Sequence, residues 1–269
     1  MGVDFALDYG CPVKDQLSME GLVRLVKTRD RAATILAMVR RDGNTKPPSE
    51  ILITQRVQRP NGVQEDQAVS IQSMIDQAAA LEGLAHHCQD CSANLAMKPF
   101  TCYGSIRYPI RLRTEQWLLS LLPEDINCTA GIILQKYIKD FRYDGGDILK
   151  LRQNPTFFED RTGPTRTWKS KGFLGRLSTA FSLTSSQLLQ MLFCVGALQP
   201  PHCTMLCLFL GLIPHDTPAD QLQNQNTFLR VAFSDGDMPS DVPDIGAFIH
   251  FSDALLRAVA LNTPVAIDY

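Results

Sequence analysis

Cysteine and histidine residues between positions 86 and 102 are the one group in the sequence whose types and spacing point to a particular chemistry. The segment H-H-C-Q-D-C contains a C-x-x-C pair, Cys88 and Cys91, and a third thiol, Cys102, follows ten residues later. A C-x-x-C turn lets two sulfurs converge on one cation, and thiolate together with imidazole suits a tetrahedral zinc site. The spacing therefore predicts a zinc site formed by Cys88, Cys91, Cys102 and His87.

The fourth ligand of this site stays open at the level of sequence. Cys102 has no second cysteine at C-x-x-C spacing, so the remaining position can be filled by His86, His87, Cys11, Cys128 or a water molecule. Four protein ligands make a structural zinc site, whereas three ligands and a water leave an open, catalytic position. We predict a structural zinc. Three buried reduced thiols, or a redox-active pair, are the alternatives.

Composition places the chain among ordinary folded proteins. It has 269 residues, of which 45% are hydrophobic and 20% charged. The net charge of −2 argues against an electrostatic attraction of the whole protein to nucleic acid or anionic lipid. The N-terminal segment M-G-V-D-F-A-L-D-Y-G has no apolar run, so it is not a secretory signal. We therefore expect a cytoplasmic protein with reduced thiols, in which C-x-x-C favours metal binding over a disulfide.

Hydrophobic periodicity predicts an α+β protein, with strands and a zinc knuckle in the N-terminal part and a helical C-terminal half. Strands are predicted at 3–9, 34–39, 51–57 and 100–110, with the second and third joined as a hairpin. Ser18 is predicted to cap the first helix. Further helices are predicted at 68–84, 115–122, 129–141, 188–198, 203–213, 219–233 and 246–261, before a short apolar run at 265–267.

Residues 143–173 lack regular periodicity and separate two halves in this interpretation. The predicted organisation is an α+β domain at 1–142 that carries the zinc knuckle, an irregular connecting segment at 143–173, and a mainly helical domain at 174–269. Irregular stretches of this length are uncommon inside compact domains and are often functional.

The apolar runs at 188–198 and 203–213 raise the question of a membrane. Each is about half of the roughly 20 residues that a bilayer span requires, and Pro200-Pro201 would break a continuous helix. We predict two buried helices, with Leu192 and Leu206 in the core, and no membrane segment. Cys203 and Cys207 beside His202 are interpreted as core packing.

Basic residues are concentrated in the middle of the chain. Residues 107–176 contain 13 lysines and arginines against 8 acidic residues, and aromatic residues lie between them. Cations for phosphates and rings for bases are what single-stranded nucleic acid binding uses, so Arg166, Trp168 and Lys169 are candidates for such a site. Balance by the acidic residues at 177–269, which number 8 against 2 basic ones, is the simpler interpretation.

No P-loop, dinucleotide fingerprint, G-x-S-x-G or H-E-x-x-H motif is present. The sequence therefore favours a cytosolic zinc-containing binding module with an unidentified protein partner. Two alternatives remain. One is a single-stranded nucleic acid-binding protein, and the other is an enzyme that uses an open zinc position or the acidic segment around Asp144 and Asp147.

Overall fold

The computed structural model describes residues 2–58, 64–96, 98–171, 177–193, 196–223 and 245–268, and these form a mixed structure of helices and strands. The strands are β1 (Gly2–Leu7), β2 (Leu52–Gln58), β3 (Gln64–Ser70), β4 (Tyr103–Arg107), β5 (Thr165–Lys171), β6 (Leu177–Thr184), β7 (Ala197–Leu198) and β8 (Val265–Asp268). The α-helices are α1 (Pro12–Arg41), α2 (Ile71–Ala78), α3 (Leu112–Ser120), α4 (Thr129–Phe141), α5 (Gly146–Leu151), α6 (Ser185–Phe193), α7 (Pro200–Phe209) and α8 (Ile245–Leu261). Short 3-10 helices cover Pro48–Glu50, Ala79–Cys88 and Gln221–Gln223. The α+β character is confirmed.

The chain divides into two compact units, one formed by residues 1–9 with 102–269 and the other by residues 10–101. This division differs from the predicted segments 1–142, 143–173 and 174–269. Its cause is the pairing of β1 with β4, in which Val3 lies opposite Ile106 and Ala6 opposite Tyr103. The chain leaves the sheet after β1 and returns only after the whole of residues 10–101, so hydrophobic periodicity cannot reveal the boundary.

The discontinuous unit, residues 1–9 with 102–269, is built on an antiparallel sheet of strand order β4-β1-β8-β7. Helix α8 packs on this sheet and α7 packs on α8. The ring of Phe5 meets Phe251 of α8 edge-on at 5.1 Å between centroids. A side chain at Gly104 would run into Phe5 and His250, so this strand position requires glycine.

The predicted irregular segment 143–173 contains regular structure, and that part of the prediction is wrong. Helix α5 lies in it, and β5 pairs with β6 as an antiparallel hairpin. Most residues of β5 are polar or charged, which conceals a strand from a search for apolar alternation. The predicted mainly helical half also contributes three strands, β6, β7 and β8.

The apolar helices α6 and α7 form part of the core of this unit. Leu192 and Leu206 are both 0% exposed, as predicted. Thr184 and Gln187 cap α6 reciprocally, because each backbone N–H donates to the other residue's side-chain oxygen, at 3.0 and 3.2 Å. No helix within the described ranges is long and apolar enough to cross a membrane. Residues 224–233 of the helix predicted at 219–233 lie outside the described residues.

In the unit of residues 10–101, α1 packs against α2. The predicted cap is confirmed, since Ser18 Oγ accepts the Gly21 N–H at 3.1 Å, and α1 is kinked at Ser18, which has φ 59°. The strand predicted at 34–39 is wrong, because these residues continue α1 and pack Ile35 and Val39 against a small core around Met74. The hairpin is formed instead by β2 and β3, so the helix predicted from position 68 begins after β3.

Candidate functional site

Residues 88–101, which we call the cysteine loop, follow the 3-10 helix Ala79–Cys88 and are organised around one asparagine. The Asn94 N–H donates to the Cys91 carbonyl at 2.9 Å, and its side-chain amide donates to the Cys88 carbonyl at 3.1 Å. Its side-chain oxygen accepts the Thr101 N–H at 3.1 Å. The two ends of the loop are thus tied together through Asn94.

The thiol of Cys88 is buried and sits among other polar groups of the loop. Its Sγ accepts the backbone N–H of Phe100 at 3.4 Å. The pKa of the Cys88 thiol is raised, mainly by burial and also by Cys91 and Cys11. The Phe100 hydrogen bond and Lys14 act in the opposite direction and lower it. Cys11 and Lys14, at the start of α1, are therefore electrostatic neighbours of Cys88.

The predicted zinc ligands are distributed over both units. Cys91 and His87 are partly exposed and lie in residues 10–101, and the His87 ring lies 3.8 Å from that of His86. Cys102 is buried and belongs to the other unit, where its carbonyl accepts the Leu7 N–H at 2.9 Å. In the described part of the chain, no three histidine, cysteine, aspartate or glutamate side chains are arranged to hold a metal ion. The zinc site stays a prediction.

Cys128, another candidate for the fourth ligand, has a local role. Its Sγ accepts the Gly131 N–H at 3.4 Å and so caps α4. Cys203 and Cys207 are fully buried in α7, and the ring of His202 hydrogen-bonds the Met191 carbonyl at 3.2 Å, as expected for core packing.

An apolar groove of about 340 Å³ lies between α1 and the α2 segment, and we call it the α1–α2 groove. Two helical stripes and the end of the cysteine loop line it: Arg29, Ala33 and Leu36 from α1, Ile75, Ala78, Leu81, Glu82 and Ala85 from α2 and the following 3-10 helix, and Pro99 and Phe100 from the loop. The residues of each stripe recur three or four positions apart, so they share one helix face. Sequence reasoning missed this groove because it interpreted residues 34–39 as a strand.

Phe100 connects the groove with the cysteine loop. Its side chain is 3% exposed, and the Arg29 guanidinium lies over its ring at 5.6 Å. Its backbone has φ 67°, a left-handed conformation that is unusual for a bulky residue and costs about 1–3 kcal/mol. The hydrogen bond to Cys88 Sγ holds the Phe100 backbone in that conformation, so the thiol positions the end wall of the groove.

The three candidate nucleic acid residues lie on β5, and two of them are committed to internal contacts. The Arg166 guanidinium donates to four carbonyls at the end of α3, those of Leu119, Ser120, Leu122 and Pro123, at 2.6–3.1 Å. Trp168 is 5% exposed and donates to the Pro123 carbonyl at 2.9 Å. Only Lys169 of the three is exposed. Both Nη atoms of Arg166 hydrogen-bond within the protein and the Trp168 ring is buried, so this geometry argues against a phosphate or a base at these two residues.

The carboxylates between residues 144 and 160 make local contacts in turns and at helix ends. Asp144 Oδ1 accepts the Gly146 N–H at 2.8 Å, and Asp147 pairs with Lys150 at 3.0 Å on the surface. Glu159 accepts the Leu112 N–H at the start of α3, at 2.9 Å. Asp160 accepts from Thr162 and Gly163, and these hydrogen bonds lower its pKa. The carboxylates are distributed among separate local structures, as in ordinary turns.

A buried arginine cluster joins α3, α5 and α6, and no pattern in the sequence predicted it. Arg152 and Glu115 are both 0% exposed and form a bidentate ion pair, in which each Nη of the guanidinium donates to one oxygen of the carboxylate. The other three donors of the guanidinium go to Ser186 Oγ, Ser185 Oγ and the Asp160 carbonyl, at 2.8–3.0 Å. All five N–H groups are satisfied, so the cluster fixes the fold and has no donor left for a ligand.

Comparison with protein-family models, with curated proteins and with solved structures found no match for this chain. The functional argument therefore rests on the α1–α2 groove and the cysteine loop.

Proposed function

We propose that the protein is a binding module in which the α1–α2 groove of residues 10–101 receives an amphipathic helix of a partner protein. The observation that carries the proposal is the groove itself, an apolar channel between two helical stripes. Helix-in-groove recognition uses such a surface, because residues at positions i, i+3 or i+4 and i+7 of the partner helix insert together.

The side chains of the groove favour a helix over a small molecule. Ala33, Ala78 and Ala85 are small, and the distance between packed helices, normally about 8–10 Å, is set by the size of such contact residues. The volume of about 340 Å³ is at the lower end of small-molecule pockets, which span about 300–1,000 Å³.

The charges at the rim specify the chemistry of the partner. Arg29 Nε donates a hydrogen bond to Asp30 Oδ1 at 3.0 Å, and the Arg29 guanidinium lies over the Phe100 ring. Glu82 is exposed on the opposite stripe. A partner helix with an apolar face, an acidic residue beside Arg29 and a basic residue beside Glu82 complements this rim. Such rim charges affect specificity and association rate more than affinity.

The predicted zinc has a structural role in this proposal. Reduced thiols of the cysteine loop would bind it, and the loop would then hold Pro99 and Phe100 at the end of the groove. The Phe100 N–H donated to Cys88 Sγ at 3.4 Å joins the loop thiol directly to the residue that closes the groove.

The test uses the full chain and a fluorescent 18-residue amphipathic peptide, with one acidic and one basic residue flanking its leucine face. Fluorescence anisotropy is recorded for the wild type, Ala33→Arg and Met38→Arg. Ala33 lines the groove, whereas Met38 is exposed on the opposite face of the same helix. We expect saturable binding by the wild type, at least tenfold weaker binding by Ala33→Arg, and binding within twofold of the wild type by Met38→Arg.

Absence of saturable binding, or equal weakening by the two variants, would refute the groove as the docking surface. A version of the peptide with its two charges exchanged tests the rim. We expect Arg29→Glu to bind this version more tightly than the original.

A further inference from the structure

Phe100 closes one end of the α1–α2 groove, and the cysteine loop holds it there. We propose that Phe100 determines which partner helices the groove accepts, and that Asn94 is the positioning residue that keeps Phe100 in place. This inference rests on the proposed function and specifies the partner further. At the end of its apolar face that meets Phe100, the partner helix carries a leucine or a smaller residue, and a bulky aromatic residue there is excluded.

Both helical stripes of the groove end beside Phe100. Arg29 is the first residue of the α1 stripe, and its guanidinium lies over the Phe100 ring at 5.6 Å. Ala85 is the last residue of the opposite stripe, and the 3-10 helix that carries it ends at Cys88, whose Sγ accepts the Phe100 N–H. The ring is 3% exposed, so it fills the space into which the groove would otherwise continue.

Two hydrogen bonds hold the backbone on either side of Phe100. Its own N–H donates to Cys88 Sγ at 3.4 Å, and the next N–H along the chain, that of Thr101, donates to Asn94 Oδ1 at 3.1 Å. Asn94 Oδ1 also accepts the Thr101 hydroxyl, and Asn94 Nδ2 donates to the Cys88 carbonyl at 3.1 Å. Both restraints therefore lead back to Cys88, the last residue of the 3-10 helix that lines the groove.

The left-handed backbone of Phe100 makes these restraints necessary. A φ of 67° is unfavourable for a residue with a Cβ, so Phe100 keeps it only while its surroundings impose it. When the Asn94 side chain is removed, we expect Phe100 to relax to a negative φ, which turns its ring away from the end of the groove. Glycine adopts a positive φ without this penalty, so Phe100→Gly removes the ring and preserves the backbone conformation of the loop.

A wall that cannot move discriminates between partners by size. Packed interfaces have little free volume, so an extra ring pressed against a fixed side chain forces unfavourable rotamers or backbone shifts. A difference of about one methylene in an apolar pocket already changes binding by about 10–200-fold. A partner helix with tryptophan where leucine meets Phe100 should therefore bind poorly, and removing the Phe100 ring should admit it.

The experiment uses the full chain and two peptides. The first is the amphipathic peptide of the groove assay. In the second, the leucine next to the acidic residue, which faces the Arg29 end, is replaced by tryptophan. Anisotropy is recorded for the wild type, Phe100→Gly and Asn94→Ala. Ser92→Ala is the matched control, because Ser92 is an exposed residue of the same loop.

The expected result is a change of preference between the peptides. The wild type and Ser92→Ala should bind the tryptophan peptide about tenfold more weakly than the leucine peptide. Phe100→Gly should reverse this order. In Asn94→Ala the wall can move aside, so the preference should fall to within about threefold. General loss of stability would weaken both peptides alike. Since Asn94→Ala retains the ring, it tests the same preference even where Phe100→Gly loses all binding.

A second measurement follows the loop without a peptide. Cys88 is 6% exposed, so it should react slowly with iodoacetamide in the native protein. Asn94→Ala should accelerate its alkylation, detected by mass spectrometry relative to the partly exposed Cys128, whereas Ser92→Ala should not.

The possible outcomes separate the inference from the proposed function. A wild-type preference in Phe100→Gly would overturn Phe100 as the wall and leave the groove as a docking surface. An unchanged preference or an unchanged Cys88 alkylation rate in Asn94→Ala would overturn its positioning role. A wild-type chain that binds neither peptide would overturn the proposed function, and this inference with it.

Discussion

Replacing Arg152 with Met should be among the most destabilising single changes in the chain. The variant removes five hydrogen bonds and leaves Glu115 buried without its cation. Breaking a buried ion pair by deleting one partner costs about 3–5 kcal/mol, a large share of a typical total stability of about 5–15 kcal/mol. The neighbouring Phe158 ring, 4.3 Å from the guanidinium, also loses its contact.

The two halves of the pair should respond differently to pH. A carboxylate left alone in the core can take up a proton, so the destabilisation by Arg152→Met should shrink between pH 7 and pH 5. A guanidinium left alone by Glu115→Gln cannot lose its charge, so that penalty should stay constant over the same range. The double variant Glu115→Leu with Arg152→Met should be more stable than either single variant, because no buried charge remains.

Urea unfolding at pH 7 and pH 5 measures these differences, with unchanged m-values confirming that the unfolding transition is comparable. Lys150→Met is the matched control, because Lys150 lies two residues from Arg152 and its ion pair with Asp147 is on the surface. We expect the control to leave the urea midpoint unchanged. A penalty below about 1 kcal/mol for Arg152→Met, or equal pH dependence of the two single variants, would refute the reasoning.

Two further predictions concern the same unit. Leu206→Ala should lower the free energy of unfolding, measured in urea, by about 2–5 kcal/mol because the side chain is fully buried. Leu149→Ala, at a 41% exposed position, should lower it much less. Equal losses of stability in the two variants would show that α7 is peripheral. Arg166→Ala should cost about 1.5–3 kcal/mol through lost hydrogen bonds to four carbonyls, while Lys169→Ala should stay within about 0.5 kcal/mol. Salt-dependent, saturable binding of single-stranded nucleic acid that Arg166→Ala abolishes without loss of stability would instead support the nucleic acid alternative.

Signals that are local in sequence predicted local structure well. The helix at 129–141 has the predicted bounds, because its apolar residues recur at helical spacing over the whole length. Ser18 caps a helix as its residue type suggested. Burial of Leu192 and Leu206 followed from apolar runs too short for a bilayer.

Local propensity failed where tertiary packing outweighed it. The β-branched residues at 34–39 favour a strand in isolation, but the core of residues 10–101 needs Ile35 and Val39 on one helix face. The polar strand β5 is stabilised by pairing with β6 and by the hydrogen bonds that Arg166 and Trp168 donate to backbone carbonyls at the end of α3. Neither partner is visible from the sequence of β5 itself.

The sequence by itself determined the α+β class, most of the helices and the buried positions of Leu192 and Leu206. Only the tertiary structure decided that β1 pairs with β4 and that α1 and α2 leave an apolar groove between them. The physical reason is the range of the interactions. Caps and helical periodicity act over three or four residues, whereas the pairing of β1 with β4 and the packing of α1 on α2 join segments that are far apart in the sequence.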